Sequence, residues 1–298
     1  MPLHHYIEQY FQNNPQARQL GVPVENPPID KRPKVLNIEE LEVDLKTHKI
    51  HIRIYTPEEK PPYPLYIYFH GGEYMQGNLE TDDVSCRLIS SLSGVKVIAV
   101  DYRLASTQPA PAAFHDCYNV TKWVVEHAKQ LDGDLKKIMI GGASGGGNLA
   151  TVVVLKSIVT GDFRLAKQVL HYPAIDLHDD KIKGSEYQSR MLYNARYGLD
   201  IAKGHDSLKH EDPDSLLFLS PIHADTTLLA QMPQTLIFTA EYDPLCDEGE
   251  IYAEKLKEAG VDVKLVRFDG DIHGFMQRFP GSPDYMRGYD ITSEFLIG

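Results

Sequence analysis

A glycine-rich turn with a serine at its centre stands between a predicted strand, 137–140, and a predicted helix, 148–159. Gly142, Ser144 and Gly146 form a G-x-S-x-G motif in this turn. Only small neighbours allow so tight a turn. The turn would hold the serine up for attack, and the free N–H groups of the helix would face the same point. The pattern therefore predicts a strand–turn–helix unit with Ser144 as a candidate nucleophile.

Other interpretations of this turn compete with the nucleophile. Gly145, Gly147 and Ala150 also match the dinucleotide fingerprint G-x-G-x-x-A. This match lies too far into the helix to form the turn, and no clear acid ends a second strand about 20 residues later. No lysine follows the glycines, which excludes a Walker phosphate loop. On the turn alone, a nucleophile, a nucleotide site and purely structural glycines stay open.

The rest of the chain alternates predicted strands with predicted helices. Alternating apolar residues predict two half-buried edge strands, and runs that are apolar on both faces predict central parallel strands. Such alternation predicts a mostly parallel sheet with helices on both faces. The predicted strands are 41–45, 50–54, 65–69, 95–100, 137–140, 168–172, 234–240 and 261–268, and the predicted helices are 3–11, 113–131, 148–159, 247–260 and 285–296.

Two stretches do not fit this alternation. The first 34 residues combine an amphipathic helix with a proline-rich arm, and residues 177–220 carry many charges and aromatic rings without a strand pattern. About 40 residues are too many for a structureless loop. We interpret them as a cap over the carboxyl edge of the sheet, where ligands of open α/β sheets bind. The predicted organisation is therefore a cap helix and arm in 1–34, a core in 35–176 and 221–298, and a cap insertion in 177–220.

A second glycine pair follows the predicted strand 65–69. Gly71 and Gly72 let the backbone approach a substrate closely. Their N–H groups, together with that of Gly145, can form an oxyanion hole. An ordinary glycine turn explains the pair equally well when it is considered alone.

An acid and a histidine follow Ser144 at the ends of later strands. Asp243 follows strand 234–240 and His273 follows the last strand, at separations of 99 and 30 residues. These separations leave room for the cap and then for one helix and one strand. Alone, Asp before Pro is a common turn and a single histidine is ordinarily a surface or core residue. Their order at successive strand ends favours a Ser-His-Asp triad.

These motifs together resemble those of the hormone-sensitive-lipase-type carboxylesterases. The resemblance implies an α/β-hydrolase fold, with a mostly parallel eight-stranded sheet, helices on both faces, and a helical cap made of the N-terminal helix and the insertion. It gives residues 101–104 a scaffold role beside the glycine pair. The segments that carry it, from about residue 35 to the C-terminus, are His70-Gly71-Gly72, 101–105, 109–113, 142–150, 240–245, Asp247-Glu248-Gly249 and 272–275.

The resemblance implies a serine carboxylesterase that hydrolyses short-chain acyl esters through an acyl-enzyme, with no metal and no organic cofactor. An amidase or arylformamidase with the same triad and a non-catalytic ligand-binding relative are the alternatives. The tyrosines of the cap could line the mouth of the site, but packing of the cap onto the sheet is favoured. The site residues are Ser144, Asp243 and His273 for the triad, Gly71, Gly72, Glu73 and Gly145 for the oxyanion hole, and Tyr74, Tyr193 and Tyr197 for substrate binding.

Three positions depart from the family pattern. Glu73 stands where the family usually has a third glycine, Ala143 where it commonly has an acid, and Gly145 where it commonly has alanine. The Glu73 N–H can donate only if the residue adopts backbone angles that a glycine takes cheaply. Its carboxylate, if it points inward, would oppose an oxyanion. We expect a lower rate or altered specificity from Glu73, and no loss of function.

Composition limits the partners. The formal net charge is −12, from 30 basic and 42 acidic residues, which argues against a nucleic-acid surface. The apolar runs fall far short of the roughly 18 to 20 residues that span a bilayer, and the first 20 residues show no secretory pattern. Three cysteines without a C-x-x-C pair argue against a thiolate zinc site. We expect a cytoplasmic protein with a small-molecule ester substrate and no membrane insertion, and a homodimer stays open.

Overall fold

The computed structural model describes residues 3–15, 26–176 and 220–298. Its eight strands are β1 (Asn37–Asp44), β2 (Lys49–Thr56), β3 (Tyr63–Phe69), β4 (Lys96–Val100), β5 (Gly133–Ala143), β6 (Lys167–His171), β7 (Gln234–Ala240) and β8 (Val263–Phe268). They form one sheet in the order β1-β2-β4-β3-β5-β6-β7-β8. Strand β2 runs opposite to the other seven strands, so its pairs with β1 and β4 are antiparallel, and the pairs from β4 to β8 in the sheet order are parallel. The predicted mostly parallel eight-stranded sheet is confirmed.

Helices pack on both faces of this sheet. They are α1 (His5–Asn13), α2 (Asp83–Ser93), α3 (Ala112–Glu126), α4 (Gly145–Thr160), α5 (Thr226–Leu229), α6 (Cys246–Glu258), α7 (Phe275–Arg278) and α8 (Pro283–Ile297). One apolar cluster joins α3, α4 and α6 to one face, and a second joins α1, α2 and α8 to the other. Because helices cover both faces, the central strands are apolar on both sides.

Strand β3 shows how this burial arises from the sequence. Leu65, Ile67 and Phe69 belong to the first cluster, and Tyr66 and Tyr68 belong to the second. Successive side chains of a strand point to opposite faces, so the uninterrupted apolar run serves both. All five side chains are buried. The strand thus ends, directly before His70, inside the best-packed part of the molecule.

The start of α6 differs from the prediction. The sequence predicts a helix over 247–260, with Asp247 as its N-cap and Glu250 as the carboxylate of the first turn. The helix instead begins at Cys246 with Leu245 as its N-cap, so Asp247 lies inside the first turn. The side chain that binds the N–H of Leu245 is Asp243, at 2.8 Å. A residue predicted for the triad therefore also fixes the turn before this helix.

The proposed cap is described only in part. The structure places α1 with Ile7 and Phe11 buried, and the Phe11 ring lies edge-on to Phe279 at 5.7 Å between centroids. Most of the insertion, with Tyr193 and Tyr197, lies outside the described residues. The division into cap and core therefore stays a prediction. No helix in the described ranges combines the length and hydrophobicity that crossing a membrane requires.

Candidate active site

Ser144 occupies a sharp turn between β5 and α4. Its φ of 56° lies in the left-handed region, which costs a residue other than glycine about 1–2 kcal/mol. The Ser144 N–H donates to the carbonyl of His171 at 2.9 Å, and the Ala174 N–H donates to the carbonyl of Ser144 at 3.2 Å. Neighbouring β6 and the segment after it therefore hold the strained turn in place.

The two flanking glycines of the motif are required by space. A Cβ added to Gly142 would lie 2.5 Å from the carbonyl oxygen of Phe69, and a Cβ added to Gly146 would lie 2.1 Å from the same oxygen. Real Cβ atoms do not approach a carbonyl oxygen so closely. The end of β3 therefore packs directly against the turn, which brings the loop after β3 next to Ser144.

Ser144, His273 and Asp243 form a hydrogen-bonded chain. The Ser144 Oγ lies 2.8 Å from His273 Nε2, and His273 Nδ1 lies 2.6 Å from Asp243 Oδ2. Asp243 is fully buried and its other oxygen accepts the Leu245 N–H. An ionised carboxylate only accepts, so His273 Nδ1–H donates to it and leaves Nε2 to accept the proton of Ser144. The structure thus brings together all three predicted triad residues at the carboxyl ends of β5, β7 and β8.

The loop after β3 takes three consecutive left-handed conformations. The φ angles are 121° at Gly72, 56° at Glu73 and 62° at Tyr74. A Cβ on Gly72 would lie 2.1 Å from the carbonyl oxygen of Gln76, so only glycine fits there. The Glu73 N–H can donate to an oxyanion only if the residue adopts backbone angles that favour glycine, and its φ of 56° is such an angle. Its half-buried side chain lines the same cavity as Ser144.

Gly71 lines the cavity and has a polar partner of its own. Its N–H donates to the carboxylate of Asp82. An N–H group has one hydrogen, and a buried carboxylate holds it strongly. We therefore favour the N–H groups of Gly72, Glu73 and Gly145 as oxyanion donors and assign Gly71 to anchoring the loop; the donation predicted for Gly71 stays a prediction.

Tyr74 lies beneath the loop. Its side chain is buried within the first apolar cluster and is not part of the cavity wall at Ser144. Burial raises the pKa of its phenol well above the usual range. A Cβ added to Gly145 would lie 3.3 Å from the Tyr74 ring, so an alanine there would require a small shift of the ring. We predicted that Tyr74 contacts the substrate. In the structure its backbone has a positive φ of 62°, and its side chain packs in the core instead of lining the cavity.

A cavity of about 370 Å³ is lined by Ser144, His273 and the loop after β3. This volume is typical of small-molecule sites. Sequence reasoning missed most of its polar walls, because they come from loops without a motif. Those described residues are Asn26, Gln76, Asn78, Glu80, Thr81, Asp82, Tyr172, Gln277 and Arg278.

Asp82 is the centre of a hydrogen-bond network beside the cavity. Its carboxylate is 3% exposed and Oδ1 accepts from Gln277 Nε2 at 3.0 Å and from the Tyr68 hydroxyl at 3.2 Å. The Gly71 N–H is a further donor. Burial raises the pKa of Asp82, and these donors oppose that shift by binding the ionised form. A carboxylate suits this position because it accepts several hydrogen bonds at once.

The network continues to the histidine of the triad. The Tyr172 hydroxyl donates to Gln277 Oε1, and the Tyr172 ring stands edge-on to the His273 ring, with 5.2 Å between centroids. Asp82, Gln277 and Tyr172 therefore form a continuous series of contacts from Gly71 to the His273 ring.

The segment 101–104 supports the loop from behind, as the resemblance implied. The Tyr102 hydroxyl donates to the carbonyl of His70 at 2.8 Å, and the two rings stack at 4.2 Å. Arg103 binds Asp116 through Nε and Nη2, each at 2.8 Å. Burial lowers the pKa of His70 to about 4, so this histidine is neutral and structural at pH 7.

Comparison with known proteins agrees with this geometry. A family profile described as alpha/beta hydrolase fold matches residues 66–277. An arylesterase of Saccharolobus solfataricus is 36% identical over 262 residues, which are 87% of this chain and 82% of that protein. An ethyl acetate hydrolase of Pseudomonas putida is 31% identical over 234 residues, 77% of this chain and 72% of the relative. The solved structure of a hyperthermophilic esterase from Pyrobaculum calidifontis superposes with a TM-score of 0.85 at 33% identity, covering 100% of this chain and 98% of that one.

Proposed function

Since the chain belongs to the α/β-hydrolase fold family, we propose that it is a serine carboxylesterase that hydrolyses short-chain acyl esters. The observation that carries the proposal is the continuous hydrogen-bonded chain from Ser144 through His273 to Asp243, which opens onto a cavity. This order of nucleophile, base and orienting acid is the arrangement that acyl transfer needs.

The reaction proceeds in two halves. His273 Nε2 takes the proton of Ser144 as Oγ attacks the ester carbonyl, and the alcohol leaves with that proton. A water molecule then attacks the acyl-enzyme and gives a proton to His273, which passes it to Ser144 Oγ as the bond to the acyl group breaks and the carboxylic acid is released. Asp243 keeps His273 in the productive tautomer and stabilises its charged form.

Negative charge that develops on the carbonyl oxygen needs fixed donors. The N–H groups of Gly72, Glu73 and Gly145 supply them, and the start of α4 adds the positive end of a helix dipole. Such preorganised donors act without rearrangement during the reaction. Glu73 also lines the cavity with its half-buried side chain, and the expected lower rate or altered specificity stays a prediction.

Short esters are the proposed substrates because of both the cavity and the relatives. A space of about 370 Å³ holds a small acyl group and a small alcohol, and two relatives are named for aryl and ethyl acetate esters. The cap insertion that the sequence predicts, 177–220, would form the rest of the wall.

A matched pair of substrates separates the esterase from the amidase alternative. p-Nitrophenyl butyrate and butyryl p-nitroanilide share an acyl group, but nitrophenolate leaves unprotonated, whereas the anilide must receive a proton from His273. We expect kcat/KM to be higher for the ester by about 10²-fold or more, in line with the usual contribution of general acid catalysis. Comparable values for the two substrates would favour the amidase.

Asp82→Asn tests the anchoring of the glycine loop. Asparagine has one acceptor oxygen and an NH₂ group, so it cannot accept from Gln277, Tyr68 and Gly71 as the carboxylate does. We expect the interaction with the Gly71 N–H to weaken by about 1–3 kcal/mol. We expect kcat for p-nitrophenyl butyrate to fall about 10- to 100-fold with KM within about threefold, and binding of a trifluoromethyl ketone to weaken in parallel.

Asp83→Asn is the matched control for this variant. Asp83 is equally buried but pairs with Arg32, Arg87 and Tyr55 at 2.6–2.9 Å, outside the cavity wall. This variant should lose thermal stability while the folded protein keeps its kcat. An unchanged kcat in Asp82→Asn, or an equal loss in both variants, would contradict the anchoring role.

A further inference from the structure

A cluster of three ionisable side chains connects the N-terminal segment to the loop that carries His273. This N-terminal cluster consists of His4, before α1, Asp271, two residues before His273, and Asp284, in the first turn of α8. His4 Nε2 lies 3.0 Å from Asp284 Oδ2 and 3.9 Å from Asp271 Oδ2. One nitrogen or oxygen from each side chain lies within 4.8 Å of the other two. The proposed hydrolysis uses none of these groups.

Asp271 is the unusual member of the cluster. Its side chain is completely buried, and no N–H or hydroxyl group donates to either carboxylate oxygen within the described structure. Burial and the neighbouring carboxyl group of Asp284 raise the pKa of Asp271 well above its usual range. A buried carboxylate without a donor is costly, and such groups in native proteins are normally paired or bound to a cation. The groups next to Asp271 are an imidazole nitrogen and a second carboxylate, which pairs with Arg287 through its other oxygen, so among the described residues no lysine or arginine binds Asp271 directly.

We propose that the N-terminal cluster binds one divalent cation of the zinc class. An imidazole nitrogen and two carboxylate oxygens form a donor set that Zn²⁺ uses, with bonds of about 2.0–2.2 Å. Two ligands of one tetrahedral ion then lie about 3.4 Å apart. The observed separations of 3.0 and 3.9 Å bracket this value. His4 Nε2, one oxygen each from Asp271 and Asp284, and a water molecule would complete four ligands.

The surroundings of the cluster suit a metal site. Arg287 Nη1 donates to Asp284 Oδ1 at 2.7 Å and leaves Oδ2 facing His4. The backbone N–H of His4 donates to the carbonyl of Gly270 at 2.9 Å, so the segment with the imidazole is tied to the loop with Asp271. Outer hydrogen bonds of this kind orient metal ligands. The His4 side chain is 28% exposed, which gives an ion a route from solvent.

The proposed site would stabilise the fold and take no part in ester hydrolysis. A bound ion would join the segment before α1, the loop before His273 and the start of α8. Ligands that bind only the folded state raise its stability. Binding can therefore be measured without an ester substrate, and its outcome is independent of the proposed esterase activity.

Zinc titration of the untagged, chelator-treated full chain tests this site. Calorimetry should give one Zn²⁺ per chain with a Kd in the micromolar range. Zinc at about 100 times Kd should raise Tm by about 5 °C. Asp271→Asn and His4→Gln should each weaken binding at least tenfold, as expected for loss of a ligand. Circular dichroism before titration confirms that each variant is folded.

His5→Gln is the matched control, because His5 is the adjacent, exposed histidine. It should retain the affinity of the wild-type chain. The absence of saturable zinc binding, or wild-type affinity in Asp271→Asn or His4→Gln, would overturn the site. Those results would favour a proton shared by the two carboxyl groups, in which case Asp271→Asn would be more stable than the wild-type chain without zinc.

Discussion

Ser144→Ala should abolish hydrolysis of p-nitrophenyl acetate and p-nitrophenyl butyrate, with a fall in kcat of about 10⁵- to 10⁶-fold. The Ser144 Oγ is the one atom of the hydrogen-bonded chain that can form the acyl-enzyme, and alanine leaves His273 without a nucleophile to activate. The fold should remain intact because the Ser144 backbone, which carries the strain, keeps its hydrogen bonds to β6 and to the segment after it. Initial rates with purified protein of unchanged Tm provide the measurement.

Ser106→Ala is the control for this variant, since Ser106 is exposed and outside the cavity wall. It should match the wild-type kcat. Residual turnover by Ser144→Ala above about one per cent of wild type, after exclusion of contaminating esterase, would contradict the acyl-enzyme mechanism.

Asp243→Asn should lower kcat at pH 7 by about 10⁴-fold. The asparagine cannot accept the Nδ1–H of His273 and the Leu245 N–H as the carboxylate does. The imidazole then favours the tautomer with its proton on Nε2, which cannot receive the proton of Ser144. KM should change little, because Asp243 is fully buried and does not line the cavity. Steady-state kinetics with p-nitrophenyl butyrate separates kcat from KM.

Glu248 is the matched control for Asp243. It is a nearby buried carboxyl, and burial raises its pKa to about 8. Its Oε1 accepts the N–H groups of Ile175 and Asp176 at 2.7 and 3.2 Å, so it holds backbone and does not face His273. Glu248→Gln should retain kcat within about tenfold, the cost of one weakened hydrogen bond. A near-wild-type kcat in Asp243→Asn, or a larger loss in Glu248→Gln, would move the acid of the triad to another residue.

The triad could be predicted from sequence because its members follow strands. Parallel strands bring their carboxyl ends to one edge, so Ser144, Asp243 and His273, each within five residues of the end of a strand, were expected to approach one another. The strongly apolar strands β3 and β4 were equally clear. Sequence order and periodicity therefore predicted both the sheet and the reacting groups.

Helix α2 was not predicted, although its pattern has a physical explanation. Its buried side includes Ser85, Ser90 and Ser93. Ser90 Oγ donates to the carbonyl of Val95 at 3.0 Å and Ser93 Oγ donates to that of Ile89, whereas the Ser85 hydroxyl pairs with the distant Tyr289 hydroxyl at 2.7 Å. Buried serines dilute the apolar periodicity on which helix prediction depends. Asp82 directly precedes this helix, so without the helix the sequence did not indicate a role for Asp82 either.

The polar walls of the site and the N-terminal cluster could not be derived from sequence. Asp82 and Gln277 are 195 residues apart, and His4 and Asp284 are 280 residues apart. No local pattern marks such pairs, because only the packed fold brings them together. Tyr74 shows a related limit: its residue type suited a binding site, but the backbone turned it into the core.

The central claim is that Ser144 is an activated nucleophile in a catalytic site. Labelling with a fluorophosphonate tests it most directly, because the probe forms a covalent bond only with a serine whose base and oxyanion donors are in place. We expect one equivalent of adduct by intact mass, mapped to Ser144 by peptide sequencing, and none in Ser144→Ala. Folded wild-type protein that remains unlabelled, or is labelled at another serine, would contradict the claim and favour a ligand-binding protein on this fold.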